Sequence, residues 1–255
     1  MTRFLSILVF LAALVPATYA QDAAALILDA KQVLQQGLDA GSEESILRAR
    51  AAFERATGTD DDRLAALAHY YVALTNIRAQ VLLDRETEKE RMVELVDNAI
   101  EHLEASIERD PALPESHALL SSTYGQKLGL KPMLTMFLGP KVSRTMDKAK
   151  QLGPDNPRVV FTEAQSLYFT PKMWGGSRER ALEGFERAAA LYEAETDRDP
   201  LLPGWGHDEA YAWQGIALDS FDRTDEARAA FERALEINPN YGWVRYDLLP
   251  GLASN

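Results

Sequence analysis

Four histidines are the side chains best suited to acid–base chemistry or metal binding in this 255-residue chain. Catalytic zinc sites often place two histidines one helical turn apart beside a glutamate, and structural zinc sites usually add cysteines. Neither arrangement occurs, because the chain has no cysteine and its histidines are widely separated. They are His69, His102, His117 and His207. The spacing therefore predicts no metal site.

Each histidine also has an ordinary structural interpretation. His102 lies among glutamates in a charged helical stretch, which is typical of a solvated helix face. His117 stands where a bulky core residue is expected, so we predict that it is packed. His207 precedes two acidic residues, a sequence typical of a helix start, where the dipole favours acids. One alternative stays open: His69 and His117 meeting acidic side chains in a groove would indicate an enzyme.

Nucleophile and phosphate-binding motifs are missing from the sequence as well. Gly175–Gly176 lacks both a preceding strand and the lysine of a phosphate loop. No serine lies in a nucleophile elbow, and the run Asp60–Asp62 is typical of a crowded helix start. The residue types therefore predict a non-enzymatic protein without a cofactor.

Charge narrows the choice of partner. The formal net charge is -12, and only the stretch 141–150 gathers lysine and arginine. Because phosphate groups are bound by clustered cations, nucleic acid and anionic lipid surfaces are poor candidate partners. A cationic partner, or simple solubility, fits the acidic balance better.

The first twenty residues have the composition of a secretory signal peptide. Arg3 supplies a positive start, residues 4–15 are almost entirely apolar, and Ala20 ends a small-residue cleavage motif before Gln21. The apolar run is shorter than the roughly 20 residues that span a bilayer. We therefore predict a signal peptide over 1–20, one mature domain over 21–255, and a periplasmic location.

Apolar residues recur with helical period along almost the whole mature chain, and no stretch alternates as a strand. Glycines, hydroxyl caps and prolines separate the periodic segments. The pattern predicts helices over 22–39, 43–57, 60–83, 87–109, 114–128, 135–152, 156–170, 177–198, 207–221 and 224–237, with a last short one from 240.

A small–bulky–small pattern with offsets of four and seven residues recurs in the second helix of four of the predicted pairs. Such offsets place the three residues on one helix face, where small residues allow close approach and the bulky one fills the space between helix pairs. The copies are Ala49, Phe53, Ala56; Ala99, Leu103, Ser106; Ala181, Phe185, Ala188; and Ala227, Phe231, Ala234, with Ala164 and Gly215 as the matching small residues of first helices and Pro239 closing the last unit.

These residues resemble the tetratricopeptide repeat over most of residues 22–240, most specifically in the last unit. The resemblance implies an all-α solenoid of about five helix pairs in a right-handed superhelix, with residues 240–248 as a capping helix. Two connections, 128–135 and 170–176, are longer than the family's tight turn. More loosely, the chain is similar to periplasmic repeat components of TRAP-type transporters, which implies a transporter association.

The resemblance also implies which residues meet a partner, because the first helix of each pair lines a concave groove. Those positions are Tyr70, Arg78, Ser122, Gln126, Arg158, Gln165, Tyr168, Phe169 and Asp219. Aromatic residues at helical spacing fit a packed core equally well, and that alternative stays open. Trp174 and Trp205 are expected to fold back over helix ends, because large apolar rings are seldom left in water.

Two functions follow as hypotheses. The leading one is an exported scaffold or adaptor that binds a protein or peptide segment in its groove without much reorganisation. The alternative is a small-ligand carrier working beside a transporter, with an apolar cavity near Phe169 and Trp174.

Overall fold

The computed structural model describes residues 15–196 and 198–252, and the regular structure in those ranges is entirely helical. Ten helices form five consecutive hairpins, and each hairpin packs on the next. The helices are α1 (Val15–Ala40), α2 (Glu43–Ala56), α3 (Asp62–Val81), α4 (Lys89–Arg109), α5 (Pro114–Leu130), α6 (Thr135–Leu152), α7 (Pro157–Phe169), α8 (Arg178–Glu193), α9 (His207–Asp219) and α10 (Thr224–Ile237). The predicted all-α helical-repeat solenoid is confirmed.

Side-chain caps begin several of these helices. The Ser42 hydroxyl accepts a hydrogen bond from the Ser45 amide at 3.3 Å at the start of α2, and Ser177 does the same for Arg180 at 3.2 Å in α8. The Asp61 carboxylate accepts from the Leu64 amide at 2.9 Å in α3. Each bond satisfies one of the amides that a helix leaves free at its first turn.

The small–bulky–small residues lie in the core, where hairpins meet. A Cβ atom added to Gly215 of α9 would lie 2.4 Å from Cε1 of Phe231 in α10, so only glycine allows this ring to lie against the helix backbone. Pro239 is exposed just after α10 ends. The buried members are Ala99, Ala164, Ala181, Phe185, Ala188, Gly215, Ala227, Phe231 and Ala234.

The core has two main parts, one in the first three hairpins and one in the last two. Phe53, Tyr70 and Tyr71 are the largest buried rings of the first part, and Phe161 and Phe185 belong to the second. Aromatic residues thus fill the spaces between hairpins, as the repeat pattern predicts.

Helix bounds agree with the sequence predictions to within two residues from α2 to α7, and two later predictions were wrong. The helix predicted over 177–198 ends at Glu193, because the residues that follow turn inward to contact other helices. The C-terminal segment is not a plain α-helix over 240–248: a π-helical turn, Val244–Leu248, leads into α11 (Leu249–Leu252). The predicted signal peptide falls largely on residues 1–14, which lie outside the described residues.

Candidate binding groove

Residues 194–196 and 198–206, named here the crossing loop, run over the first helices of the early hairpins. Lys31 of α1 and the Tyr71 hydroxyl of α3 donate hydrogen bonds to its carbonyl oxygens, at 2.7 and 2.8 Å respectively. Trp205 Nε1 donates to the Tyr70 hydroxyl at 2.7 Å. Burial and nearby arginines lower the pKa of Lys31 to about 8. The loop therefore fills part of the concave face.

The beginning of the crossing loop is bound by two buried charged residues, Arg158 and Glu115. The Arg158 side chain is 2% exposed, and its two terminal nitrogens donate to the two Glu195 carboxylate oxygens at 2.8 Å each. Arg198 donates to Glu195 at 3.0 Å and to Glu115 of α5 at 3.1 Å. Burial opposes ionisation of Glu195, but the hydrogen bonds and positive charges of Arg158 and Arg198 together outweigh it and lower the carboxylate's pKa. Charge-assisted bonds of this kind are stronger than neutral ones.

A second ion pair ties α9 to α3 beside the end of the loop. Arg78 donates two hydrogen bonds to Glu209, one of them at 2.9 Å, and its guanidinium lies 5.2 Å from the Trp205 ring centroid. Burial raises the pKa of Glu209 even though Arg78 favours the charged form. Trp205 also packs against both parts of the core. The loop and α9 thus join the two halves of the solenoid.

Beyond the crossing loop the inner face is aromatic. Phe169 lies eleven residues after Arg158, on the same face of α7. Its side chain is 67% exposed, yet its ring centroid is 5.2 Å from that of Trp213 in α9. Tyr168 and Trp243 each lie 5.8 Å from Trp213. These four residues, Tyr168, Phe169, Trp213 and Trp243, are named the aromatic cluster.

The crossing loop and α9 cover three of the residues predicted to line the groove and leave the others uncovered. Tyr70 and Arg158 are buried and Arg78 is half-buried, all three engaged by the loop or by α9. The rest lie elsewhere on the first helices: Ser122, Gln126, Gln165, Tyr168 and Asp219 are half-buried, and Phe169 is exposed. Gln126 Oε1 is buried and has no hydrogen-bond partner in the described chain.

Sequence reasoning missed Trp213, Trp243 and the path of the crossing loop. Trp213 follows Glu209 by four residues, so helical spacing could have placed it on the inner face. The Pro- and Gly-rich segment 200–206 signalled a loop but not its direction. The ion pairs that direct it join residues far apart in sequence.

One of the histidines, His102, is placed differently from its sequence expectation. His102 does not lie on a solvated face: it is half-buried, and its Nδ1 lies 2.9 Å from Nδ1 of His69. Burial, aided by His102, lowers the pKa of His69 to about 4, so the pair is neutral at pH 7. His117 is buried as predicted, with Nε2 3.0 Å from the Pro111 carbonyl, and His207 stacks on Tyr192. No group of three or more potential metal ligands occurs among the described residues.

The two loop tryptophans, Trp174 and Trp205, differ in their exposure to solvent. Trp205 is turned inward as expected, whereas the expectation for Trp174 was wrong, because its side chain is 65% exposed. Trp174 lies in the turn between α7 and α8, which is closed by a hydrogen bond from the Gly176 amide to the Pro171 carbonyl at 3.2 Å. This bonding directs the ring outward.

Comparison with known proteins agrees with this geometry. The model of the tetratricopeptide repeat matches residues 208–241. The solved structure of the HusA haemophore from Porphyromonas gingivalis is similar with a TM-score of 0.60 and 25% identity, over 79% of this chain and 94% of that one. TTC0263, a thermophilic tetratricopeptide-repeat protein of Thermus thermophilus, is similar with a TM-score of 0.57 and 20% identity, over 88% and 97%. No curated protein matches significantly.

The repeat match coincides with the last hairpin, where Gly215 and Phe231 are in the closest contact. Solenoids of this kind typically serve as interaction scaffolds rather than enzymes. Residues 208–241 therefore form a tetratricopeptide repeat, and the described chain has the helical-repeat solenoid fold of tetratricopeptide-repeat proteins.

Proposed function

We propose that this protein is an interaction scaffold that binds a partner segment at the aromatic cluster, on the part of the groove that the crossing loop leaves open. The observation that carries the proposal is the exposure of Phe169, 67%, against the half-buried rings of Tyr168 and Trp213. Aromatic side chains supply much of the binding energy at protein interfaces, especially when a supported ring becomes fully desolvated on binding.

A polar feature on α5, the helix that packs against α7, supports a peptide as the occupant. Gln126 Oε1 is buried without a donor, and Gln165 and Ser122 are half-buried on the neighbouring first helices. A buried acceptor that lacks a donor is costly, and a backbone amide of an incoming segment would satisfy it. The site thus offers apolar anchoring and hydrogen bonding together.

We further propose that the protein acts in the periplasm, on the strength of the first twenty residues alone. Cell fractionation with N-terminal sequencing tests this location, because a cleaved chain begins at Gln21. A transporter association rests only on the loose resemblance noted above, and co-purification from the envelope tests it.

Binding of a planar apolar ligand is a second candidate function. It is supported by the likeness to a haemophore at 25% identity and by the aromatic cluster, whose rings could stack on such a ligand. None of the four histidines belongs to that cluster. Stacking would therefore carry most of the binding, and for haemin the Tyr168 phenol is the residue of the cluster whose type can ligate iron.

Replacing Phe169 by Ala should abolish most peptide binding at the groove. Peptides enriched by display on the immobilised full protein should carry apolar or aromatic residues, and their Kd should rise about thirtyfold in the variant, as expected for a loss of roughly 2 kcal/mol at a hot spot. Leu47→Ala is the control, because Leu47 is 38% exposed on α2, an outer helix.

Unchanged peptide affinity in Phe169→Ala would refute the scaffold site. Haemin titration of the same proteins separates the second candidate: a saturable Soret change that Phe169→Ala reduces, without peptide enrichment, would favour the planar ligand.

A further inference from the structure

Exposed apolar side chains are concentrated at the turns that join α5 to α6 and α7 to α8. Met133, Met136 and Phe137 are 86%, 83% and 72% exposed at the first turn, and Met173 and Trp174 are 84% and 65% exposed at the second. Single exposed apolar residues are ordinary on a protein surface, but a group of five large ones marks an interaction surface.

The two turns lie on one edge of the solenoid. Both follow the first helix of their hairpin, and α5 packs directly against α7. The cation of Lys141, in α6, lies 5.2 Å from the Tyr124 ring centroid in α5, and Arg178, in α8, lies 5.3 Å from that of Tyr168 in α7. The second helix of each of these two hairpins therefore begins close to the first helix, beside the turn that joins them.

The same turns carry positive charge in a chain that is otherwise acidic. Residues 131–144 and 169–178 contain no Asp or Glu, although the whole chain has a formal net charge of -12. The cations there are Lys131, Lys141, Arg144, Lys172 and Arg178, all exposed, and none of them forms an ion pair in the described chain. The sequence-based exclusion of anionic lipid rested on total charge and on clusters along the sequence, neither of which shows that two separate turns bring their cations to one edge of the solenoid.

The second turn is built to hold its apolar residues outward. A Cβ atom on Gly176 would lie 1.7 Å from the Thr170 carbonyl oxygen, so the chain closes on itself where only glycine fits. The Ser177 amide also donates to the Leu167 carbonyl at 3.0 Å. Met173 and Trp174 thus project from an ordered turn, and little ordering entropy is lost when they are buried.

We propose that these two turns, residues 131–144 and 169–178, form a docking edge for the surface of an anionic lipid bilayer. Lysine and arginine are attracted to anionic headgroups, tryptophan favours the interface, and methionine and phenylalanine enter the acyl boundary. None of the helices in the described chain has the length and apolarity needed to cross a bilayer. Docking at the bilayer surface presents the aromatic cluster, which shares Phe169 with this edge, close to the membrane.

The neighbouring turn between α3 and α4 provides matched controls. Val81 is 76% exposed there and Lys89 is exposed, but acidic residues such as Asp84, Glu86 and Glu90 surround them. Apolar exposure and cations thus occur at this turn without a positive local charge. The corresponding substitutions, Val81→Ser and Lys89→Glu, should leave lipid binding unchanged.

Vesicle flotation of the full protein tests the docking edge. Binding is expected to phosphatidylcholine vesicles that contain phosphatidylglycerol, not to phosphatidylcholine alone, and it should weaken as salt is added. Lys131→Glu/Lys172→Glu should lower the partition constant on the order of twenty-five-fold or more, at roughly fivefold per cation. Phe137→Ser/Trp174→Ser should lower it about a hundredfold, at about tenfold per ring, and remove the blue shift of tryptophan fluorescence.

Three results would overturn the docking edge: no binding to phosphatidylglycerol vesicles at low salt, equal binding to both vesicle types, or an equal loss in the control variants. Circular dichroism establishes that each variant is folded. Lys131→Glu/Lys172→Glu should keep the wild-type affinity for the display-selected peptides, because neither lysine belongs to the aromatic cluster. Failure of the peptide site and failure of the docking edge are therefore distinguishable. Capture of a protein by this edge without vesicle binding would also contradict the proposal.

Discussion

Replacing Glu195 by Ala should destabilise the protein by about 3 kcal/mol, because it leaves the Arg158 guanidinium buried without a carboxylate. The Arg158 side chain is 2% exposed, whereas that of Glu195 is 26% exposed, which puts the effect at the low end for a broken buried pair. Urea unfolding followed by circular dichroism measures the change. Hydrogen exchange should also become faster over residues 198–206, since the pair anchors the crossing loop.

Two further variants show whether burial of the charge is the cause. Arg158→Met/Glu195→Ala should recover part of the loss, because an apolar side chain of similar length needs no counter-charge. Glu226→Ala removes a carboxylate whose partner, Arg223, lies with it at the surface, with side chains 43% and 59% exposed. It should leave the unfolding midpoint unchanged. Equal effects of Glu195→Ala and Glu226→Ala would mean that the crossing loop contributes no stability through this pair.

Truncating Phe231 to Ala should cost about 3–5 kcal/mol in the free energy of unfolding. The ring is 1% exposed and lies against Gly215, whose missing side chain makes room for it. Because the backbone of α9 cannot collapse into the space, most of the cavity should remain. The denaturant midpoint of the full protein reports the loss.

Phe137→Ala is the matched control, since it removes the same atoms from a side chain that is 72% exposed. Its effect should lie within about 0.5 kcal/mol of zero. Comparable losses in the two variants would contradict the packing role assigned to the repeat's phenylalanine. An intermediate loss in Phe231→Leu would support it, because leucine fills part of the volume.

The local pattern was sufficient for the elements and for the packing residues. Period, caps and prolines place α2 to α7 within two residues of their observed bounds, and Ala227, Phe231 and Ala234 are buried together. These features depend on neighbours within one hairpin, which the spacing of residues encodes directly. The end of α8 and the C-terminal segment were the exceptions, and the residues predicted to extend α8 are drawn away by the bond between Arg158 and Glu195.

The candidate site was only partly predictable. Phe169 and Gln165 were placed on the inner face by their position in the repeat, and that face does carry the aromatic cluster. Tyr70 and Arg158 were placed there for the same reason, but the protein's own loop covers them. Position within a repeat indicates where a side chain points and does not show what lies above it.

Alone, then, the amino-acid sequence determined the helices, their pairing into hairpins and the small and bulky residues between them, because each depends on contacts within one helix or between helices adjacent in the chain. Only the tertiary structure decided which part of the groove is open. Lys31 meets the crossing loop across 171 residues, and Arg78 meets Glu209 across 131. Pairings at such separations are set by how the hairpins stack, and no local spacing records them.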